Sequence, residues 1–382
     1  MRVRILVCCS ETPRPPLNGS RLVAWQLCTR LARTHDVTVV ALRHPDQDGA
    51  PPDGVRLREV PFAPRSRVGA WAARGAALVR REPVGTRRSV SALAPAVRAM
   101  AGRVDVAHVM LGDIAGLAPA LDVPAVIAPL DVWHRNIEAQ AAGSGGPERM
   151  WRRAQTGAVR RFESLAYRPF ARTVLVTDED ARQLRTLDPS LRTVVIPNGV
   201  DAQSFTADGR ARSGVLFTGA LNSPANEQAA VRLAERIMPV VRQSVPDARL
   251  HLVGRAPGPR IRALDATVVA DVPDLRPHLW GAAVYACPMD SGTGIKNKLL
   301  EAMAAGVPAV ATSLACQGLT VRDGVQLRIA EDDEAFARAV VDCLRAPGGL
   351  AAAAREYVLA HHSWDAVTDA YVTLYREISV GP

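Results

Sequence analysis

The sequence predicts an α/β protein made of two Rossmann-like halves, each built on a parallel sheet. Short, continuous apolar runs recur along the chain, and amphipathic stretches separate several of them. Such runs are typical of parallel strands that are buried on both faces. The alternation starts again after a polar, turn-rich break near residues 198–210. A chain of 382 residues is also long enough for two domains of ordinary size.

The first half opens with a βαβ unit. An apolar strand over residues 3–9 precedes a loop rich in proline and glycine, and a helix with a 3.6-residue period over residues 21–33 follows it. A strand over residues 36–42 completes the unit, which predicts a right-handed crossover. The later elements predicted in this half are strands 104–110, 125–129, 173–177 and 193–196 and an arginine-rich helix 150–167.

The second half repeats the alternation. Its predicted strands are 214–219, 249–254, 266–270, 282–288 and 308–312, and its predicted helices are 225–245 and 296–305. The domains are therefore expected at residues 1–198 and 199–362, followed by an amphipathic helix over residues 363–382 that returns to the first domain. Because ligands of such sheets bind at the carboxyl ends of the strands, we expect a ligand in the cleft between two facing domains.

Composition restricts the classes of function. The net charge of +9 favours anionic partners, but aromatic residues make up only 4% of the chain and no basic run is interleaved with them, which argues against nucleic acid. No apolar run reaches the roughly 18 residues that a membrane span needs, and the N-terminal run is too short for a signal peptide. The six cysteines show no metal-ligand spacing. We therefore expect a cytoplasmic protein with reduced cysteines.

Arginines cluster in the basic segment 65–98. Two interpretations are open at this point. The segment is either a solvated helix face, or a surface for an anionic acceptor or for peripheral contact with an anionic membrane.

The chain has only two lysines, Lys296 and Lys298, and all its other basic residues except histidine are arginine. Gly292 and Gly294 precede the pair, and an apolar, helix-forming stretch follows it. Glycine backbone and lysines at a helix N-terminus are typical of a phosphate site, and Glu301 in the helix could accept hydrogen bonds from ribose hydroxyls. The alternative is a capped surface helix in a chain that otherwise disfavours lysine.

Residues 292–308, GTGIKNKLLEAMAAGVP, resemble the signature of the GT-B glycosyltransferases of family 4. Residues 196–201 with Phe205, residues 215–219 followed by 224–226, residues 252–255, and Ser363 with Trp364 are also similar to that family, so the resemblance covers most of residues 194–378. The resemblance implies a GT-B fold, a nucleoside diphosphate sugar as donor, retention of anomeric configuration, and neither metal nor cofactor.

The resemblance also implies roles for particular residues. Lys296, Lys298 and Asp131 are the expected catalytic residues, and Asp131 follows a strand where many members have a histidine that touches the donor sugar. His134 and Arg135 are the expected acceptor-binding residues. The expected donor-binding residues are Gly19, Asn198, Gly219, Asn226, Arg255, Asp290, Gly292, Thr293, Gly294, Ile295, Leu300 and Glu301. Asp178-Glu-Asp180 looks like a metal-binding motif, but its place between a strand and a helix favours helix capping.

Two departures from the family pattern matter. Many members carry two glutamates spaced E-x7-E, and here Glu301 is the second while Thr293 stands at the first position. Asp290 is a candidate substitute. Residues 219–226 also lack the cation that commonly follows the first strand of the nucleotide domain, so Lys296, Lys298 and Arg255 are expected to hold the donor phosphates.

The expected function is transfer of a sugar from a UDP-, GDP-, dTDP- or ADP-sugar to an acceptor hydroxyl, by a monomer or a homodimer. The acceptor stays open among lipid-linked sugars, capsular chains and small natural products. Two alternatives also stay open: a nucleotide-sugar epimerase of similar plan, and a non-catalytic nucleotide-sugar-binding protein.

Overall fold

The structure is a computed structural model that describes residues 2–14, 19–45, 47, 49–142, 145–206, 209–292 and 294–379. The chain forms two compact units. The first comprises Met1–Pro197 together with Val367–Pro382, and the second comprises Asn198–Ala366.

The first unit contains a parallel sheet. Among its described residues, seven strands pair in the order β3-β2-β1-β4-β5-β6-β7. The strands are β1 Arg4–Cys9, β2 Asp36–Arg43, β3 Arg56–Pro61, β4 Val106–Met110, β5 Ala125–Leu130, β6 Arg172–Leu175 and β7 Thr193–Val195. The helices of this unit are α1 Gly19–Thr34, α2 Arg67–Arg80, α3 Thr86–Arg98, α4 Trp133–Ala142, α5 Gly146–Tyr167 and α6 Asp178–Leu187, with a 3₁₀ segment at Gly112–Ala120.

No strand was predicted between residues 43 and 103, but the structure has β3 there. Its residues Arg-Leu-Arg-Glu-Val-Pro lack a continuous apolar run, because this strand pairs only with β2 and lies at the edge of the sheet. An edge strand can tolerate charged residues and a terminal proline, since one side of it makes no ladder hydrogen bonds.

The second unit contains another parallel sheet. Six strands of its described part pair in the order β10-β9-β8-β11-β12-β13. They are β8 Ser213–Ala220, β9 Leu250–Arg255, β10 Thr267–Ala270, β11 Ala282–Cys287, β12 Ala309–Ala311 and β13 Arg328–Ile329. The helices are α7 Pro224–Arg232, α8 Met238–Ser244, α9 Pro259–Arg262, α10 Arg276–Gly281, α11 Asn297–Ala304, α12 Asp333–Arg345 and α13 Leu350–His361. Together the two sheets confirm the predicted α/β class.

The helix predicted over residues 225–245 is interrupted in the structure. A π-helical turn at Leu233–Ile237 separates α7 from α8, and Pro239 lies in the first turn of α8. Proline has no backbone N–H to donate to the preceding turn. The missing hydrogen bond at Pro239 therefore accounts for the π-helical turn just before it.

The last helix, α14 Trp364–Ser379, runs from the second unit into the first. In the first unit the hydroxyl of Tyr375 lies 2.6 Å from Nδ1 of His108, and the ring of Tyr371 stacks on the same imidazole. His108 is fully buried on β4, and burial lowers its pKa to about 3, so the imidazole is neutral. The return of the C-terminal helix to the first domain is therefore confirmed.

All six cysteines are free, as predicted, and all six are buried. Within the described ranges, no helix combines the length and the apolar character required to span a bilayer.

A tight backbone contact in the second sheet gives a test of the fold. A Cβ atom added at Gly254 on β9 would lie 1.7 Å from the carbonyl oxygen of Gly219 on β8. We expect Gly254→Ala to lower the free energy of unfolding by about 1 to 3 kcal/mol, since backbone atoms must move to admit the methyl group. Urea denaturation measures this change.

Gly258→Ala is the matched control, because a Cβ at Gly258 meets no atom within 4 Å. Its free energy of unfolding should stay within about 0.5 kcal/mol of the parent value. Equal stability of the two variants would contradict the close approach of β8 and β9.

Candidate functional site

In the second unit the candidate site lies where the strand order reverses, between β8 and β11. Gly219 is close to the carboxyl end of β8, and the loop of residues 288–296 leaves the carboxyl end of β11 and leads into α11. Parallel sheets bind ligands at such reversals, because the loops after the two strands separate there. The structure therefore brings the lysine-containing loop to the position where a ligand is expected.

Lys298 is at the centre of this site. Its ammonium group donates to Oδ1 of Asn226, lies 3.8 Å from the sulfur of Met289, and lies 4.7 Å from the ring centroid of Phe217. Burial lowers the pKa of Lys298, and its interaction with Glu301 acts in the opposite direction. Within the described residues this lysine has no ion-pair partner, so an anion entering the site would meet an ammonium without a paired carboxylate.

Gly219 and Asn226 fit closely around that ammonium. Asn226, on α7, donates through Nδ2 to the carbonyl oxygen of Ala220 at 2.9 Å while its Oδ1 accepts from Lys298. A Cβ atom at Gly219 would lie 3.0 Å from Nδ2 of Asn226 and 3.2 Å from Nζ of Lys298. The missing side chain at residue 219 thus keeps the backbone next to the positive charge.

Lys296 has a different environment from Lys298. It is buried, and its ammonium donates to the carbonyl oxygens of Gly292 at 3.2 Å and Gly294 at 2.8 Å. Both glycines have left-handed backbones, with φ of 110° and 68°. Lys296 therefore holds the turn of its own loop. Thr293, the residue between these glycines, lies outside the described residues.

Glu301 is half-buried and is the fifth residue of α11. Burial raises its pKa to about 7, and the positive charge of Lys298 opposes that rise. Since neither a hydrogen bond nor an ion pair joins the Glu301 carboxylate to another described side chain, it is available to a ligand hydroxyl.

Asp290 is paired on the protein side. Its carboxylate accepts from Arg232, a buried arginine on α7 that also donates to Asp333 at 2.7 Å. Among the other predicted donor-binding residues, Arg255 is exposed at the carboxyl end of β9, Ile295 is half-buried, and the Leu300 side chain is fully buried in the core of the unit.

Asn198 begins the second unit, and its carbonyl oxygen lies 3.3 Å from Nδ1 of His362. A Cβ at the neighbouring Gly199 would lie 2.6 Å from the ring of Trp364. These contacts give Asn198 and Gly199 a role in joining residues 198–200 to the start of α14.

In the first unit, Asp131 follows β5 directly and is half-buried, after Leu130 with φ of 69°. His134 is buried, and its Nδ1 lies 2.6 Å from a carboxylate oxygen of Glu163, a fully buried residue on α5. The other oxygen of Glu163 accepts from the backbone N–H of Trp133, so this carboxylate caps α4. Arg135 is exposed and pairs with Glu138 at 2.9 Å. Of the two predicted acceptor-binding residues, only Arg135 presents its side chain to solvent.

Gly19 is exposed at the start of α1, and residues 15–18 before it lie outside the described residues. Next to it, Ser20 and Arg21 both donate to the carboxylate of Glu11, at 2.5 and 2.7 Å. The N-cap of α6 is Thr177, which accepts from the backbone N–H of Asp180. Asp178, Glu179 and Asp180 occupy the first turn of the helix, where acidic residues are favourable.

Asp113 was not predicted as a site residue. The strand order of the first sheet reverses between β1 and β4, and Asp113 follows β4 there. It is half-buried, desolvation raises its pKa to about 6, and its Oδ1, which is shielded from solvent, has no hydrogen-bond partner among the described residues. A hydrogen bond with Ser10, which follows β1, opposes that rise. The position after a predicted strand was the available signal, but an aspartate there usually caps a helix.

Comparison with known proteins assigns the family. The model described as "Glycosyltransferase Family 4" matches residues 17–204, and the model described as "Glycosyl transferases group 1" matches residues 212–346. Phosphatidyl-myo-inositol mannosyltransferase of Mycobacterium tuberculosis is 34% identical over 145 residues, which cover 34% of this chain and 38% of the relative. The protein of the same name in Mycolicibacterium smegmatis is 31% identical over 207 residues, 49% of this chain and 52% of the relative. The matches to these curated relatives thus span about two fifths to one half of the relatives' length.

Solved structures show the same fold at low identity. Sucrose-phosphate synthase from Thermosynechococcus elongatus superposes with a TM-score of 0.71 at 16% identity, over 99% of this chain and 100% of that chain. Anabaena HepE in complex with UDP superposes with a TM-score of 0.67 at 13% identity, over 98% and 100%. With both family models, the two parallel sheets and these folds in agreement, the chain belongs to the GT-B glycosyltransferases of family 4.

Proposed function

We propose that this protein transfers a sugar from a nucleoside diphosphate sugar to an acceptor hydroxyl, with retention of configuration and without a metal ion. The observation that carries the proposal is Lys298, a partly desolvated ammonium at the strand-order reversal whose contacts include no carboxylate within the described residues. A diphosphate is the anion that the reversal of a parallel sheet commonly binds.

The donor is assigned to the second unit. Its diphosphate lies against the backbone at Gly219 and the start of α11, where Lys298 neutralises the charge that develops on the leaving group. Lys296 keeps the turn at Gly292 and Gly294 in shape, so that backbone N–H groups stay in place. In its ionised form the Glu301 carboxylate accepts hydrogen bonds from the ribose hydroxyls.

The acceptor is assigned to the first unit, where Asp113 has an unpaired carboxyl oxygen at the strand-order reversal. Catalysis then depends on orientation of the two substrates and on stabilisation of the leaving diphosphate, and no protein nucleophile is assigned. Retention is proposed from the family likeness.

Removal of the Lys298 charge should lower nucleotide affinity without lowering the stability of the fold. We expect Lys298→Met to weaken nucleoside diphosphate binding at least about tenfold, because a charge-assisted contact to phosphate is lost. The free energy of unfolding should stay level or rise by up to about 1 kcal/mol, since a desolvated ammonium is replaced by an apolar group beside Phe217 and Met289. Titration calorimetry with UDP and GDP and urea denaturation measure the two quantities.

Lys296→Met is the matched comparison. It leaves the carbonyl oxygens of Gly292 and Gly294 without their donor, and the expected loss of stability is about 1 to 3 kcal/mol. Unchanged nucleotide affinity in Lys298→Met would contradict the assignment of Lys298 to the phosphate site.

The raised pKa of Glu301 predicts a pH dependence. The carboxyl group shifts from its ordinary value of 4.5 to about 7 in the folded protein, so the folded state binds its proton more tightly than the unfolded state. The contribution of Glu301 to the free energy of unfolding should therefore fall as pH rises from about 4.5 to about 7. Glu301→Gln removes this contribution and should be about 1 to 3 kcal/mol more stable than the parent at pH 8.

Nucleotide binding supplies the second measurement for Glu301. In the parent protein, affinity should rise as pH rises through about 7, because the ionised carboxylate is the better acceptor for ribose hydroxyls. Glu301→Gln should show a flat profile in this range. The same pH profile in both proteins would exclude Glu301 as the ribose ligand.

The reaction itself is tested by a donor screen followed by a product assay. We expect one class among UDP-, GDP-, dTDP- and ADP-sugars to raise the melting temperature, since a ligand at 100 times its Kd adds about 2.7 kcal/mol of stability. With that donor, release of free nucleoside diphosphate should depend on an added acceptor.

The outcomes of that screen distinguish the competing activities. Conversion of the donor to another nucleotide sugar without release of diphosphate would indicate an epimerase. Stabilisation by a donor with no turnover over a broad set of acceptor hydroxyls would indicate a binding protein. No stabilisation by any of the four donor classes would contradict the proposed function.

A further inference from the structure

Helix α2 presents large apolar side chains to solvent. Val68, Trp71 and Val79 are 80%, 73% and 85% exposed, while Ala77 is the only buried residue of the helix. Burial of an apolar face is the usual reason for an amphipathic helix to pack on a protein. In α2 the apolar side chains point away from the unit that carries the helix.

The exposed apolar residues share one face. Positions 71, 72, 75 and 79 follow Val68 by three, four, seven and eleven residues. This spacing puts all five positions along one side of an α-helix. Ala77 lies on the opposite side and contacts the rest of the unit. We call the residues Val68, Trp71, Ala72, Gly75, Leu78 and Val79 the outward face of α2.

Positive charge surrounds this outward face. Residues 65–88 contain seven arginines and a single carboxylate, Glu82. The guanidinium of Arg74 lies 5.9 Å from the ring centroid of Trp71 and 5.5 Å from that of Trp151 on α5. Met150, beside Trp151, is 73% exposed. The apolar and cationic surface therefore continues from α2 onto the start of α5.

A pocket opens at the C-terminal end of α2. Its volume is about 390 Å³. Three arginines, among them Arg81 and Arg161, and one carboxylate, Glu82, line it together with apolar side chains that include Phe162 and Leu165. Arg81 caps α2 with a left-handed backbone, φ 53°. Guanidinium groups next to apolar walls match a molecule with an anionic head and a hydrocarbon tail.

We propose that the outward face of α2 docks this protein on an anionic lipid bilayer. An apolar helix face flanked by arginines lies in the headgroup region, with its aromatic and aliphatic residues at the acyl boundary and its guanidinium groups at the lipid phosphates. The Arg81–Arg161 pocket lies at the end of the same helix, where it meets the headgroup layer.

Charge complementarity favours a bilayer over a second copy of the chain. A two-fold contact through α2 would bring the same arginines of both copies together with one carboxylate each to balance them. An anionic lipid surface supplies the opposite charge over the whole patch. The proposal goes beyond glycosyl transfer and does not depend on it, because docking is measured without donor or turnover.

The test is flotation of the full chain with vesicles of phosphatidylglycerol and phosphatidylcholine in equal parts, against vesicles of phosphatidylcholine alone. We expect binding to the anionic vesicles that weakens as salt rises from 0.05 to about 0.5 M. Trp71→Ser with Val79→Ser should reduce partitioning at least about tenfold. Val325→Ser with Leu359→Ser, which changes two exposed apolar residues of the second unit, is the matched control and should bind like the parent.

A charge variant addresses the arginines separately. Arg67→Glu with Arg74→Glu should abolish the preference for anionic vesicles, whereas Arg338→Glu, at an exposed position of α12 in the second unit, should keep it. Trp71→Phe should retain binding but lose most of the fluorescence quenching by lipids brominated near the acyl boundary, because Trp71 is the aromatic residue of the outward face.

Three results would overturn the proposal. The first is unchanged partitioning of the Trp71→Ser, Val79→Ser variant, with a parental melting temperature that shows it is folded. The second is equal binding to both kinds of vesicle. The third is a parent protein that does not bind vesicles but self-associates in sedimentation velocity, with the self-association lost in the same variant. That result would assign the outward face to contact with a second copy of the chain.

Discussion

The candidate donor site depends on a lysine ammonium that is largely withdrawn from water. Lys298 binds an asparagine oxygen, lies beside a thioether and faces an aromatic ring, and within the described residues no carboxylate pairs with it. These neighbours compensate its charge only in part, which is why burial lowers its pKa. Asn226 links α7 to β8 through the carbonyl oxygen of Ala220 and links both to α11 through Lys298. The contacts that hold these three elements together therefore leave a positive charge that an anionic ligand can neutralise.

The two lysines have separate roles although they are two residues apart. Lys296 is the N-cap residue with a non-helical backbone (φ −85°, ψ 87°), whereas Lys298 lies in the first turn of α11, so the two side chains leave the chain in different directions. One ammonium turns back to the carbonyl oxygens of its own loop, and the other reaches the end of β8. A loop with two left-handed glycines would otherwise have many conformations, and Lys296 restricts them. The position of Lys298 therefore depends on Lys296, even if only Lys298 contacts phosphate.

The sequence predicted the features that local chemistry determines. The buried strands were visible as apolar runs, and the lysine loop was visible because lysine is scarce in this chain. The edge strand β3 was missed, since its charged residues follow from its place in the sheet. The burial of His134 could not be predicted from the sequence either. Its partner Glu163 is 29 residues away, and the pair forms only when α4 packs on α5. Asp113 was not singled out from the sequence, because only the order of the strands places it at the reversal of the first sheet.

The use of lysine at position 298 and of arginine on the surface of the first unit has a geometric reason. Arginine serves the surface of the first unit, where its planar group lies over aromatic rings, as Arg88 does over Phe62 at 4.2 Å. The space between Gly219 and Asn226 is different: even a single added carbon at Gly219 would lie 3.2 Å from the ammonium. A guanidinium is wider than an ammonium and presents its donors in a fixed plane, so it would displace either the asparagine or the end of β8. A compact cation with donors that rotate fits this space, which gives a physical reason for lysine rather than arginine at position 298.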